Sequence, residues 1–245
     1  MIDTKSQTSC VLETRGLGVR FGGVVAVDSV DFSLRQHELR CLIGPNGAGK
    51  TSFFRCLTGQ TTPSRGEVWL ADTNITGWVP HQVARLGVGI KTQIPSLMNE
   101  LTVRENLWLA ARRTQPARQA DDAADEMLER LHLAPLALKL AGQLSHGLRQ
   151  RTELGVVLAA RPWLLLLDEP AGGLTHDEVQ QMAELILEIG RTTSIVVVEH
   201  DMAFVRQIAQ QVTVFHQGRV LRQGAVDDVL SDQVVREVYL GKRAQ

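Results

Sequence analysis

A chain of 245 residues with 44% hydrophobic content is long enough for one large core or two closely packed subdomains, and too apolar to be disordered. Its formal net charge of -1, from 26 Lys+Arg against 27 Asp+Glu with the arginines scattered, excludes nucleic-acid binding by bulk charge. Cys10, Cys41 and Cys56 form no C-x-x-C pair, and the opening Met1-Ile2-Asp3-Thr4-Lys5 lacks the apolar segment of a secretion signal. The longest strictly apolar runs are far too short to span a bilayer, so a soluble, cytosolic chain is expected, reaching a membrane only through a partner.

Residues 11–43 read as short β segments, including 24–27, 30–34 and 39–43, separated by glycines and charges. A helix over 50–57 follows, then the turn Thr62-Pro63-Ser64-Arg65-Gly66 and a strand at 67–70. Over residues 101–160 the pattern turns helical. Thr102-Val103-Arg104-Glu105 is a capping box, and Ala120, Ala123, Ala124, Met127, Leu128 and Leu131 recur at helical spacing on one packing face. Trp78, Trp108 and Met98 read as packing residues too. Beyond Arg161, strands at 163–167, 194–198, 212–215 and 219–221 alternate with helices starting at Thr175 and Asp201. Thr175 with Glu178 makes a second capping box, on a helix carrying Val179, Met182 and Ile186, and Asp201 caps the next helix. Continuous apolar strands alternating with helices predict a mostly parallel sheet covered on both faces, an α/β core divided by a helical insertion.

Gly44-Pro45-Asn46-Gly47-Ala48-Gly49-Lys50-Thr51 fits the pattern G-x-x-x-x-G-K-[ST] directly after an apolar run. The glycines let successive backbone N–H groups wrap a polyphosphate, and the following helix aims its positive dipole end at the same anion. Lys50 is expected to reach the β and γ phosphates of a nucleotide, and Thr51 to hold Mg²⁺, with Ser52 completing the loop. Leu164-Leu165-Leu166-Leu167-Asp168-Glu169 is a buried strand ending in two carboxylates. In phosphoryl transfer, Asp168 would orient Mg²⁺ through its water shell and Glu169 would polarise the attacking water as general base.

Between these two motifs, Leu144-Ser145-His146-Gly147-Leu148-Arg149-Gln150 resembles the L-S-G-G-Q signature of the ATP-binding cassette ATPases, the ABC family. The other family elements stand in order. Phe21 matches the aromatic that stacks on adenine, Gln93 the glutamine of the loop into the helical subdomain, and Asp168-Glu169-Pro170 the end of the Walker B strand. Residues 171–175 match the D-loop, and His200 in Val198-Glu199-His200-Asp201 matches the switch histidine. The resemblance spans residues 11–224 and implies a P-loop NTPase fold: a mixed-sheet α/β core with an inserted α-helical subdomain and an N-terminal antiparallel β subdomain. The expected boundaries are 9–241 for a single domain, with core segments 9–92 and 161–224, the helical subdomain 93–160 and C-terminal helices 225–241. It also implies that ATP with Mg²⁺ is sandwiched between two such domains, so that Ser145 and Gly147 of one contact the γ-phosphate held by Lys50 of the other. Gln93 would help hold Mg²⁺ and the attacking water, and His200 would contact the γ-phosphate and orient Glu169. Three positions depart from the pattern: His146, Leu148, and Thr175 where many members carry aspartate. Ser145 and Gly147 remain, so hydrolysis is expected.

Phe21-Gly22-Gly23-Val24-Val25-Ala26-Val27, Glu38-Leu39-Arg40-Cys41, the altered signature and the ending Val235-Arg236-Glu237-Val238-Tyr239-Leu240-Gly241 look like the ATPases of branched-chain amino acid importers and their urea-type relatives. This resemblance implies a peripheral subunit on the cytoplasmic face of the inner membrane, energising uptake of a small polar solute. Its partners would be two permease subunits, a second cassette ATPase or a second copy of itself, and, indirectly, a periplasmic solute-binding protein, with no nucleic acid. Residues 93–139 would receive a coupling helix of the permease. The alternatives are a soluble cassette ATPase acting outside transport, an ATP-binding regulatory cassette with little hydrolysis, and an exporter or lipid-transport cassette.

Overall fold

The structure, a computed structural model, describes residues 10–93 and 96–240; the expected boundary residues Ser9 and Gly241 lie outside them. In chain order the strands are β1 (Cys10–Phe21), β2 (Val24–Arg35), β3 (Leu39–Ile43), β4 (Arg65–Leu70), β5 (Thr73–Asn74), β6 (Val88–Lys91), β7 (Leu164–Asp168), β8 (Ser194–Val198), β9 (Gln211–His216) and β10 (Arg219–Ala225). The helices are α1 (Lys50–Leu57), α2 (Pro80–Arg85), α3 (Val103–Arg112), α4 (Ala117–Arg130), α5 (His146–Leu158), α6 (His176–Gly190), α7 (Met202–Ile208), α8 (Val226–Ser231) and α9 (Gln233–Leu240).

Two sheets organise these elements. The first is antiparallel and four-stranded, in the order β2-β1-β4-β5. The second has six strands in the order β10-β9-β3-β8-β7-β6, parallel throughout except for the β9–β10 hairpin. Every residue of β3, β7 and β8 is buried. Alternate side chains of a strand point to opposite faces, so each apolar run serves two cores at once. Leu42, Leu164, Leu166, Val196 and Val198 pack with Phe53, Phe54 and Leu57 of α1 and with the antiparallel sheet. Cys41, Leu165, Leu167, Ile195 and Val197 pack on the other side with Leu107, Leu128, Leu154, Ile186 and Phe204 of the helices.

The helical insertion forms as its spacing predicts. Thr102 caps α3 with Glu105 in a reciprocal box, and Ala120, Ala123, Ala124, Met127, Leu128 and Leu131 are all buried. α5 lies directly over β6, where a Cβ on Gly89 would come within 2.5 Å of Val157 Cγ1. Two residues on, the same face of β6 presents Lys91, whose ammonium stands 3.6 Å from the Glu153 carboxylate of α5, both side chains buried.

Some elements differ from expectation. The segments at 24–27 and 30–34 form one strand, β2, that carries an extra residue opposite β1: Leu17 pairs with Val30 and Val19 with Val27. Ser29 absorbs it with a left-handed φ of 52°. The strand β6 and helix α2 carry no periodicity long enough to announce them, being 4 and 6 residues long. Trp78 and Trp108 pack on the cores as expected, but Met98 is 51% exposed.

Candidate nucleotide site

The parallel strands β3, β6, β7 and β8 all end at one edge of the six-stranded sheet, and each delivers a candidate residue there. Following the sheet order, Gln93 comes just after β6, Asp168 and Glu169 end β7, Glu199 and His200 follow β8, and residues 44–52 follow β3. Ligands of open α/β sheets bind at this carboxyl edge.

The loop after β3 is shaped by close backbone approach. At Gly49, with φ 105°, a Cβ would sit 2.4 Å from the carbonyl oxygen of Ala26 in β2; at Gly44, with φ 147°, it would sit 2.3 Å from that of Phe215 in β9. Only glycine is accommodated at either point. Between them Pro45, Asn46, Gly47 and Ala48 complete the turn, with Asn46 and Gly47 exposed. Gly49 then starts α1 with no side-chain cap and no acidic residue in the first turn, which leaves backbone N–H groups and the dipole for an outside anion. Lys50 is folded onto this loop, its Nζ donating to the carbonyls of Gly44 at 2.6 Å and Pro45 at 3.1 Å. Desolvation pushes its pKa down, partly countered by the charges of Glu169 and Asp168. Thr51 is exposed and Ser52 half-buried on the same turn. The β1–β2 hairpin lies close beside the loop at Ala26, and at its tip Phe21 pairs with Val24, both more than half exposed at 51% and 67%. Phe21 is therefore no core residue.

Asp168 is 6% exposed, and its Oδ1 is buried without a hydrogen-bond partner among the described residues. Desolvation, then the Glu169 charge, pushes its pKa up to about 6. A buried carboxylate oxygen with nothing to accept from is the donor a hard cation takes, so the residues fit Mg²⁺. Glu169 is less buried and faces His200, with Nδ1 3.4 Å from Oε1. Its backbone is held in the left-handed region at φ 46°, fixed by its N–H donating to Val198 O at 2.9 Å and its carbonyl accepting from Gly172 N at 3.1 Å. Glu199, which no motif singled out, is buried and accepts from the His200 N–H at 2.9 Å.

Ser145 and Gly147 stand elsewhere. Ser145 is the exposed N-cap of α5, yet its hydroxyl makes no cap bond and the first turn carries no acidic residue. Thr102, Thr175 and Asp201, in contrast, close the N-termini of α3, α6 and α7. Gly147 is buried against Glu178, where a Cβ would lie 2.0 Å from Oε1. His146 turns its Nε2 to the carbonyl of Gly172, donating at 3.0 Å. Among the described residues, no hydrogen bond or ion pair joins Ser145 or Gly147 to residues 44–52. The chain thus brings together the loop, Asp168, Glu169, His200 and the β6 end, and presents a second anion-ready helix start apart from them. Sequence reasoning missed Glu199 and the Lys91–Glu153 pair; the only signal was a charge inside or beside an apolar strand.

This architecture and edge define the class: a P-loop ATPase cassette with a helical insertion. A family model described as ABC transporter matches residues 27–172, more than half of the chain, and the chain belongs to that family as an ATP-binding subunit of a transporter. The chain is 37% identical over 250 residues to LivG of Escherichia coli (strain K12), a high-affinity branched-chain amino acid transport ATP-binding protein, covering 95% of this chain and 98% of the relative. BraF of Pseudomonas aeruginosa, described in the same words, is 35% identical with the same 95% and 98% coverage. LptB of Acidithiobacillus ferridurans, a lipopolysaccharide export system ATP-binding protein, is 32% identical over 96% of this chain and 98% of its own. Among solved structures, the ADP conformation of MJ1267, an ATP-binding cassette of an ABC transporter, is similar with TM-score 0.87 and 26% identity, covering 96% of this chain and 100% of that one.

Proposed function

We propose that this chain hydrolyses MgATP as the cassette of an importer for branched-chain amino acids, with the urea and amide class as its nearest alternative cargo. The observation that carries the hydrolytic part is the 3.4 Å approach of His200 to Glu169 at the same edge as Lys50 and the unpartnered Asp168 oxygen. In this reading Lys50 leaves its two loop carbonyls for the β and γ phosphates, while the N–H groups of residues 44–52 and the α1 dipole cradle them. Phe21 stacks on the adenine. Asp168, Thr51 and Gln93 would hold Mg²⁺, which neutralises phosphate charge when bound. Glu169 takes the proton of the attacking water, and His200 contacts the γ-phosphate and orients Glu169.

Ser145 and Gly147, outside the cis edge, meet the nucleotide of a second cassette, another ATPase subunit or a second copy of this chain. Transport then rests on two permease subunits, with a periplasmic binding protein upstream, and the chain works at the cytoplasmic face of the inner membrane. Among the described residues no helix is long and apolar enough to cross a membrane, which supports a peripheral place. A cleft of about 460 Å³ between β6, α3 and α5, lined by Ile90, Met98, Leu109 and Val157 and by Thr92 and Ser96 on either side of Gln93, supports a coupling helix docking there. The LivG and BraF likeness supports import; the LptB likeness supports a second reading as an export cassette. The test is co-expression with permease subunits that bind it, followed by ATP hydrolysis and uptake of labelled leucine and urea in membrane vesicles. ATP-dependent accumulation of leucine is the expected result; hydrolysis without uptake of either solute would overturn the importer reading.

A further inference from the structure

Glu199 follows β8 directly with only 1% of its surface exposed, yet it carries a carboxylate. No lysine or arginine forms an ion pair with it among the described residues. Its oxygens are taken up by backbone instead: Oε1 accepts from Ala171 N at 3.3 Å, and Oε2 from His200 N at 2.9 Å and Asp201 N at 3.3 Å. Burying a carboxylate is costly, and burial pushes this group's pKa up while the three N–H donors pull it back. β8 itself is apolar apart from Ser194 at its start, so packing alone just after it would be served by another aliphatic residue. A carboxylate does what no aliphatic or hydroxyl side chain can at this point. It offers two acceptors on one rigid plane, one to the segment after β7 and one to the loop after β8.

The two segments so joined are those that carry the hydrolytic pair. Ala171 lies two residues after Glu169, inside the turn that Gly172 N closes onto the Glu169 carbonyl at 3.1 Å. His200 is gripped at its own amide, and its Nδ1 lies 3.9 Å from Glu199 Oε2. His146 Nε2 in turn donates to the Gly172 carbonyl at 3.0 Å. We propose that Glu199 is a positioning residue that ties the loop of His200 to the segment of Ala171, and so fixes His200 against Glu169. It touches neither nucleotide nor water; it acts through the two residues that do. The inference rests on Glu169 and His200 being the hydrolytic pair.

The test uses the full-length chain assembled with its cognate cassette and permease subunits, as wild type and as the variants Glu199→Gln and Glu199→Asp. Glutamine keeps the volume and one acceptor oxygen but turns an amide N–H toward a backbone N–H; aspartate keeps both acceptors on a shorter stem. For Glu199→Gln, kcat at saturating MgATP falls about 10- to 100-fold, the size of effect a misplacement near 1 Å produces. KM for ATP stays within about twofold, as expected when ground-state binding is untouched. Glu199→Asp recovers part of kcat. Amide hydrogen exchange accelerates at 171, 200 and 201 while the amides of β7 and β8 keep their protection. The proposal is overturned if Glu199→Gln keeps kcat within about twofold, if KM for ATP rises and thermal stability falls along with kcat, or if neither variant folds. A wild-type full assembly without hydrolysis would reject the hydrolytic reading instead. The exchange data would then decide alone, acceleration at both segments supporting the tie and acceleration at one or neither overturning it.

Discussion

The imidazole of His200 meets the carboxylate of Glu169 at 3.4 Å, from neighbouring strands that end side by side. Glu169 occupies a left-handed backbone conformation at φ 46° that a glutamate adopts only when its surroundings enforce it. The enforcement is visible in the bond from its N–H to Val198 O and the return bond from Gly172 N. A carboxylate aimed by strained backbone and faced by a histidine suits proton abstraction from water. Glu169→Gln keeps the shape and loses the base, so hydrolysis falls about 10²- to 10⁴-fold while ATP still binds. Size-exclusion chromatography with ATP and the cognate partner then shows a trapped dimer. A persistent monomer under those conditions counts against the two-cassette site.

A second prediction follows from the buried acid. Asp168 has its pKa raised from 3.8 to about 6 in the folded chain without metal. Above that value the folded state carries a desolvated charge that the unfolded chain solvates freely. Between 3.8 and about 6 the folded form holds a proton that the unfolded form has lost, so stability rises as pH falls through this window. Asp168→Asn removes the charge. In EDTA and without nucleotide it unfolds at higher denaturant than the wild type at pH 7.5, by about 3 kcal/mol, and the advantage vanishes by about pH 4. The same variant loses MgATP hydrolysis. Equal stabilities at pH 7.5 would show that Asp168 is not desolvated as described.

Gly147 and Ser145 separate the structural from the functional side of the signature. A methyl at 147 meets Glu178 Oε1 at 2.0 Å, and Glu178 Oε2 is the acceptor for Thr175 N at 2.9 Å and Thr175 Oγ1 at 3.0 Å. Gly147→Ala therefore displaces the capping glutamate and costs about 1 kcal/mol, a loss that lowers Tm by about 2–4 °C in a chain of this size. Ser145→Arg disturbs no cap bond, because the Ser145 side chain makes none. It leaves Tm unchanged and abolishes the ATP-dependent hydrolysis of the assembled dimer. Indistinguishable hydrolysis rates for Ser145→Arg and wild type in the full assembly would remove the signature from the mechanism.

What can be read from the residues alone is what has a local cause. The glycine loop, the capping boxes at Thr102 and Thr175 and the Asp201 cap each act within a turn of chain, and they stand where their patterns place them. The buried runs of β3, β7 and β8 are equally legible, because two covered faces demand unbroken apolar residues. The remainder depends on partners distant in sequence. Glu199 gains its meaning from Ala171, and His146 from Gly172, 28 and 26 residues away. β6 was invisible because Gly89 and Lys91 are poor strand residues on their own. They suit the face that α5 covers, where Val157 needs the space of a glycine and Glu153 needs a cation.

That last pair makes a prediction of its own. Lys91 and Glu153 are 3.6 Å apart with side chains 3% and 6% exposed, joining the strand that leads to Gln93 with the helix that starts at Ser145. Desolvation pushes the Lys91 pKa down, with the Glu153 charge opposing it. Removing one partner leaves the other without its ion-pair partner in a buried place, so Lys91→Met or Glu153→Leu each destabilises by about 3–5 kcal/mol, whereas apolar replacement of both is near neutral. The double variant Lys91→Met/Glu153→Leu therefore unfolds close to the wild-type denaturant midpoint. Each charge was costly to bury and the two offset one another, so the pair sets the register of α5 on β6 more than it adds stability. Measured by a double-mutant cycle in urea, additive losses from the single changes would show that the pair does not couple. If the stable double variant hydrolyses ATP more slowly in the full assembly, the register of α5, and with it the placement of Ser145, is what the ion pair maintains.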